Sequence, residues 1–179
     1  MEELLKYSQR LYAKIPCGIF EGLAVLFCIG LVAFIVWKGI KTGLRYSMTL
    51  LLLEYLFLIF SSTVIFRDAM PKRKYDFHPF WSYQAMQDGS VALLPEIIMN
   101  VVVFIPAGLL LGVVFNRINW WKALLVGCSI SILIETLQFC FLKGFSEVDD
   151  VIHNTVGFLA GYILVKGSKL MIHSLSWRK

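Results

Sequence analysis

The sequence predicts an all-α integral membrane protein, a single bundle of about five transmembrane helices with one long extracellular loop. Three observations predict it. Hydrophobic residues make up 58% of the 179 and charged residues only 16%, against roughly 25% charged in soluble domains. The mean hydropathy is +0.72, more apolar surface than a chain of this size can hide from water. The apolar residues gather into five stretches of roughly the 20 needed to cross a bilayer. The length suits one compact membrane domain over 1–179, without a second.

The elements follow in order. Before the first span, Leu4, Leu5, Tyr7, Leu11, Tyr12 and Ile15 alternate with Lys6, Arg10 and Lys14, a mixture that suits the membrane interface. The first span is 18–37. It is too long for the apolar core of a signal peptide and ends in Trp37-Lys38 without a small-residue cleavage site, so it reads as a retained helix. The second span is 46–66, after a basic loop over 38–45. A long connection over 67–95 leads to the third span, 96–115, and the fourth, 121–142. The fifth, from 150 to about 165, is the least apolar. Cys17, Cys28, Cys128 and Cys140 show no paired spacing and read as small buried hydrophobes.

Loop charge bears on orientation. The side holding 38–45, 116–120 and the C-terminus carries nine Lys and Arg and no acid. The other side carries eight basic residues and nine acids. The rule that positive loops stay inside counts only Lys and Arg, and discounts long loops. The expectation is a bacterial plasma-membrane protein with its N-terminus outside and its C-terminus in the cytoplasm.

Polar residues inside the spans mark where function is to be sought, because they are costly in hydrocarbon. In the fourth span Gly127, Ser131, Glu135 and Gln138 are spaced 4, 4 and 3, which confines them to an arc of roughly 80°. In the fifth, Asp150, Asn154, Gly157 and Gly161 share one face. In the third, Asn100 is followed by Gly108-x-x-x-Gly112. With about 1.5 Å of rise per residue, Asn100, Gln138 and Asn154 lie roughly one turn below the loop-bearing surface. Glu135 lies one turn deeper, and Asp149 and Asp150 lie at the rim. Any one of these residues is equally well read as hydrogen-bonding glue between helices; the convergence of the set is what suggests a site. Glu135 is either protonated there or paired with a cation such as Arg67 or Lys143. The glycine pairs also offer faces through which copies of the chain could associate. Glu54, in mid-span, reads equally as structural or functional. His153 and His173 have no ligand-like neighbours in the sequence.

The chain resembles the VanZ-like family of small bacterial membrane proteins. The resemblance rests on Asn100-Val101-Val102-Val103-Phe104-Ile105-Pro106-Ala107-Gly108, on Glu135-x-x-Gln138, and on Asp149-Asp150-x-x-x-Asn154-Thr155-x-Gly157-x-x-x-Gly161. His78-Pro79-Phe80 is similar to a box before the third span, and the matching region runs over about 50–165. One departure concerns an Arg that many members carry shortly before the Asp-Asp pair. Here only Lys143 offers a cation, and Lys is not an equivalent donor. The resemblance implies a role in resistance to teicoplanin and related lipoglycopeptide antibiotics.

Two classes of function are consistent with these residues. In the first, the chain binds or modulates the envelope through an outward polar cluster of Arg67, His78, Phe80, Asn100, Glu135, Gln138, Asp150 and Asn154. Its partners would be membrane lipids and a lipid-linked wall precursor or the lipoglycopeptide itself. In the second, it is an intramembrane enzyme acting on a lipid-linked envelope substrate. Glu135 would then be the acid/base and Asp149 or Asp150 a base, or a hard-oxygen ligand with Asn154 for a divalent ion. No resident metal, cofactor or nucleic-acid partner is expected.

Overall fold

The computed structural model describes residues 4–6, 9, 13–90 and 93–176, with side chains as far as Ser168. Most of the expected interfacial segment, the terminal Arg178 and Lys179 and the side chains of Lys169 and His173 lie outside the described residues.

The fold is an all-α membrane bundle. A helical run over Cys17–Phe60 is broken at Gly39, whose φ of 76° no other residue adopts cheaply. The break makes a hairpin of two arms, α1 (17–38) and α2 (40–60). Phe34 packs on Tyr46 across it, with ring centroids 5.6 Å apart, and a Cβ on Gly43 would overlap the backbone of Ile35. The basic loop expected over 38–45 is therefore helical: one glycine reverses the chain, and Lys38 and Lys41 ride on helix ends. At its far end α2 opens into a wide π-type turn, Ser61–Ile65.

The long connection is ordered. It contains a three-residue strand β1 (Lys74–Asp76) and a short helix α3 (Trp81–Gln87). Strand β1 pairs in parallel with β2 (Phe145–Glu147), Tyr75 opposite Ser146, so the connection is tied to the segment after the fourth span. The remaining helices are α4 (Leu94–Val114), α5 (Trp120–Phe141) and α6 (Val148–Ser176). Among the described residues three runs are long and apolar enough to cross a membrane, Cys17–Ile65, Leu94–Val114 and Trp120–Phe141. Helix α6 is not among them, and its packing explains why. It is the central helix, with Phe158 fully buried and Asn154 and Tyr162 nearly so, while Val156, Ile163 and Leu164 face outward. A helix wrapped by its neighbours needs an apolar stripe only where it meets lipid.

Helices α4 and α6 run parallel and touch backbone to backbone. A Cβ on Gly157 would overlap the carbonyl oxygen of Val101, one on Gly161 that of Ile105, and one on Gly108 that of Phe158. The two small-residue faces thus pack against each other within one chain, which is where the glycines expected to be available to a second copy are consumed. Gly127 of α5 makes room for the ring of Phe158. Tyr55 ties α2 to α4 by donating to the Val103 carbonyl at 2.7 Å. The cysteines are free, and Cys17, Cys28 and Cys140 are exposed. They were expected to be buried, but a small apolar thiol costs nothing on a lipid-facing surface, so no packing force draws it inward.

Candidate functional site

The site forms where the loop folds down onto the ends of α2, α4, α5 and α6. Helix α5 carries Ser131, Glu135 and Gln138 on its buried stripe. The Gln138 amide donates to the Thr63 carbonyl at 3.2 Å, an acceptor left over at the end of the π turn, where helical partners run out. Helix α6 begins with Asp149 and Asp150 in its first turn, where the unpaired N–H groups favour acids. Asn154, one turn on, donates to Ser131 at 2.8 Å. Helix α4 brings Asn100, whose amide donates to Asp150 at 2.5 Å.

Asn100, Glu135, Gln138, Asp150 and Asn154 line a small, partly enclosed cavity together with Thr63, Arg67, Glu96, Met99, Val103, Phe104 and Ile134. It holds about 30 Å³ of space, room for one or two waters and none for a sugar or a peptide. Two buried acceptors on its lining residues, Gln138 Oε1 and Asn154 Oδ1, have no partner among the described residues. Arg67 places its charge within reach of both Glu135 and Asp150. The Arg67 guanidinium packs against Gly144, where a Cβ would overlap it and where φ is 148°. Lys143 does not enter the cavity; it donates to the Arg67 carbonyl at 2.7 Å. Of the two cations named in the sequence as partners for Glu135, the structure brings Arg67 to the cavity, from a different element than the stretch before Asp149.

The roof of the cavity is held by carboxylates. Glu135 accepts from the Glu147 backbone N–H at 3.0 Å, and Ser146 donates to the Glu135 carbonyl at 3.1 Å. Asp149 is almost wholly buried and points away from the cavity into the loop. It accepts from the backbone N–H of Phe80 at 2.5 Å, from that of Ser82 at 3.0 Å and from the Ser82 hydroxyl at 2.5 Å. It therefore caps α3 from another part of the chain, and both its oxygens are engaged. Glu147 accepts from the Trp81 indole N–H at 2.9 Å. Burial first, and then the charge of Glu96, pushes the Glu147 carboxyl up to about 8.

Six of the eight residues grouped in the sequence as ligand-binding candidates line this cavity: Arg67, Asn100, Glu135, Gln138, Asp150 and Asn154. His78 and Phe80 do not. They sit on the outer face of the loop, His78 paired with Asp76 at 2.9 Å and Phe80 55% exposed. The backbone N–H and ring of His78 hold the Asp76 carboxyl below its usual range. Asp149, Asp150 and Asn154 point at three different partners, so they do not form a common ligand set. No group of three or more His, Cys, Asp or Glu among the described residues is placed to hold a metal ion. Sequence reasoning missed Thr63 in the π turn, Glu96 in the first turn of α4 and Glu147 in β2. It also missed the partner of His153, whose Nε2 meets the Tyr83 hydroxyl at 2.8 Å. A single acid or hydroxyl at or beyond the end of an apolar stretch carries no periodic signal, which is why these escaped.

Comparison with known proteins gives two matches. The family model VanZ/LLP1 matches residues 24–172, most of the chain. Protein VanZ of Enterococcus faecium is 42% identical over 66 residues, covering 37% of this chain and 41% of that protein. The chain thus spans about two fifths of the length of that relative. No solved structure matches.

Proposed function

The chain belongs to the VanZ/LLP1 family, and from that premise we propose that it lowers susceptibility to teicoplanin and related lipoglycopeptides by binding or modulating the envelope at the outer membrane face. In this reading the protein crosses the membrane five times with the loop end outside. The loop is the contact surface and the polar cavity is the anchor that sets its shape. The observation that carries the reading is the division of labour between roof and cavity. The cavity is too small for a drug or a wall precursor, whereas the loop above it exposes Tyr75, Phe77, Phe80 and Tyr83. Lys72, Arg73 and Lys74 are exposed beside them. Exposed aromatics beside cations suit an amphiphile at the headgroup level. Rings stack across the same patch, Tyr75 on Phe77 at 5.1 Å and against Phe139 at 5.6 Å, which pre-orders the surface.

The test is cellular. Glu135→Ala, Asp150→Ala and Asn154→Ala, each at matched expression, are expected to restore teicoplanin susceptibility. Unchanged susceptibility in all three would remove the cavity from the mechanism.

A second reading, an intramembrane enzyme acting on a lipid-linked envelope substrate, is favoured by one observation. Glu135, Asp150 and Arg67 line one cavity, so an acid, a base and a cation stand within reach of each other. It requires the roof to open. Mass spectrometry of lipids and wall precursors from cells with and without the protein separates the two: an altered species supports the enzyme, and unaltered species support binding.

A further inference from the structure

The opposite end of the bundle carries a second cavity. The turn between α4 and α5 and the side of α6 enclose an open cleft of about 760 Å³ lined by Arg117, Asn119, Trp120, Trp121, Tyr162 and Lys166, among others. Among the described residues no acid lines it, and the sequence holds none between Glu96 and Glu135 or after Asp150. The walls are fixed from behind. Tyr162 donates to the Ile118 carbonyl at 2.6 Å, and Lys166 donates one of its three protons to the Asn116 carbonyl at 2.5 Å. Both bonds hold the turn onto α6, so the cleft is pre-formed.

The lining changes character along the membrane axis. Arg117 and Lys166 lie at the polar end, and Lys122 stands over the Trp121 ring at 5.3 Å just outside. Trp120 and Trp121 are 61% and 46% exposed, and Ile118 and Ile163 add apolar surface to the lining beside them. Tryptophan rings of this kind sit at headgroup level, and basic pockets between helices take lipid phosphates. A soluble anion would use the cations but leave the apolar surface bare; a phospholipid uses both.

We propose that this cleft, lined by Arg117, Lys166, Trp120 and Trp121, is a binding site for an anionic glycerophospholipid. Its phosphate lies between the two cations and its acyl chains lie along Ile163 and the tryptophans.

The site is tested on the 179-residue chain in detergent by native mass spectrometry, titrating phosphatidylglycerol and phosphatidylcholine. Phosphatidylglycerol is expected to be retained in preference. Arg117→Gln and Lys166→Gln should each weaken its retention about fivefold, the worth of one interfacial cation, and the double substitution by the product. Lys41→Gln, exposed at the same end but outside the cleft, should change nothing. As a second readout that needs no variant, phosphatidylglycerol should raise the unfolding temperature of the unsubstituted chain more than phosphatidylcholine does. Equal retention of the two lipids, or equal loss in Arg117→Gln and Lys41→Gln, would overturn the proposal. So would displacement of phosphatidylglycerol by an equal concentration of inorganic phosphate, which would make the site one for a soluble anion.

Discussion

The two ends of the α4–α6 bundle handle charge in opposite ways. At the loop end Glu96, Glu135, Glu147, Asp149 and Asp150 lie close together, and most of their bonds are to groups of the chain itself: backbone N–H, an indole, an amide. At the other end Arg117, Lys122 and Lys166 stand at the rim of a wide cleft with no acid among its lining residues. The difference follows from side-chain chemistry. A short carboxylate cannot reach water from inside a bundle and must be satisfied where it stands, whereas a long cationic side chain can carry its charge to the interface. Substitutions at the loop end should therefore mainly disturb structure, and those at the basic end, Lys166 with its bond to the Asn116 carbonyl excepted, should mainly disturb binding.

The largest expected effect lies in the seam that joins the two ends. Gly157→Ala puts a methyl into the Val101 carbonyl, and neither helix can yield without separating. A loss of about 3 kcal/mol is expected, the upper part of the usual range for overpacking, read as a fall in detergent unfolding temperature. Gly22→Ala, where a Cβ meets nothing within 4 Å, should leave that temperature unchanged or slightly raised.

Next comes the roof. Asp149→Ala strands two backbone N–H groups and the Ser82 hydroxyl. The expected cost is about 2 kcal/mol, felt locally as faster hydrogen exchange over 76–90 rather than as global unfolding. Exchange unchanged in that segment would show that the loop is held by other contacts.

A smaller effect depends on pH. Folding raises the proton affinity of Glu147, whose carboxyl moves from an ordinary value of 4.5 to about 8. Between those values the folded chain holds a proton that the unfolded chain has released, so stability falls as pH rises through that window. Glu147→Gln removes the titration. It should flatten the profile and make the variant more stable than the parent above pH 8. An unchanged slope would assign the dependence to another group. The smallest effect is expected at Lys14 and Asp68, an ion pair exposed on both sides: Asp68→Asn should give no measurable change in stability, since such pairs contribute little.

The parts of this arrangement written as periodicity were legible in the sequence. Ser131, Glu135 and Gln138 recur at helical spacing, and so do Asp150, Asn154, Gly157 and Gly161, so their shared faces and common depth followed from the geometry of a helix. The parts that depend on the chain returning to itself were not. Whether the glycine faces meet within one chain or between chains is a choice between partners that spacing does not encode. Glu147 and Tyr83 act through loop conformation, and the pairing of β1 with β2 rests on three residues each, too short to show an alternating pattern. The tight turn at Gly39, in place of a loop between the first two spans, was missed for a related reason. A basic stretch on two helix ends has the same composition as a basic loop, and only the positive φ of one residue separates them.

The central claim is that the polar cavity and its aromatic roof face the outside of the cell. His78, on the outer face of the roof and with a side chain 91% exposed, offers the most direct test. In a variant whose native cysteines are replaced by serine, His78→Cys should react with a membrane-impermeant thiol reagent added to intact cells. A Cys at position 41, at the opposite end, should react only after the cells are opened. Labelling at 41 but not at 78 in intact cells would contradict the claim and with it the proposed site of action.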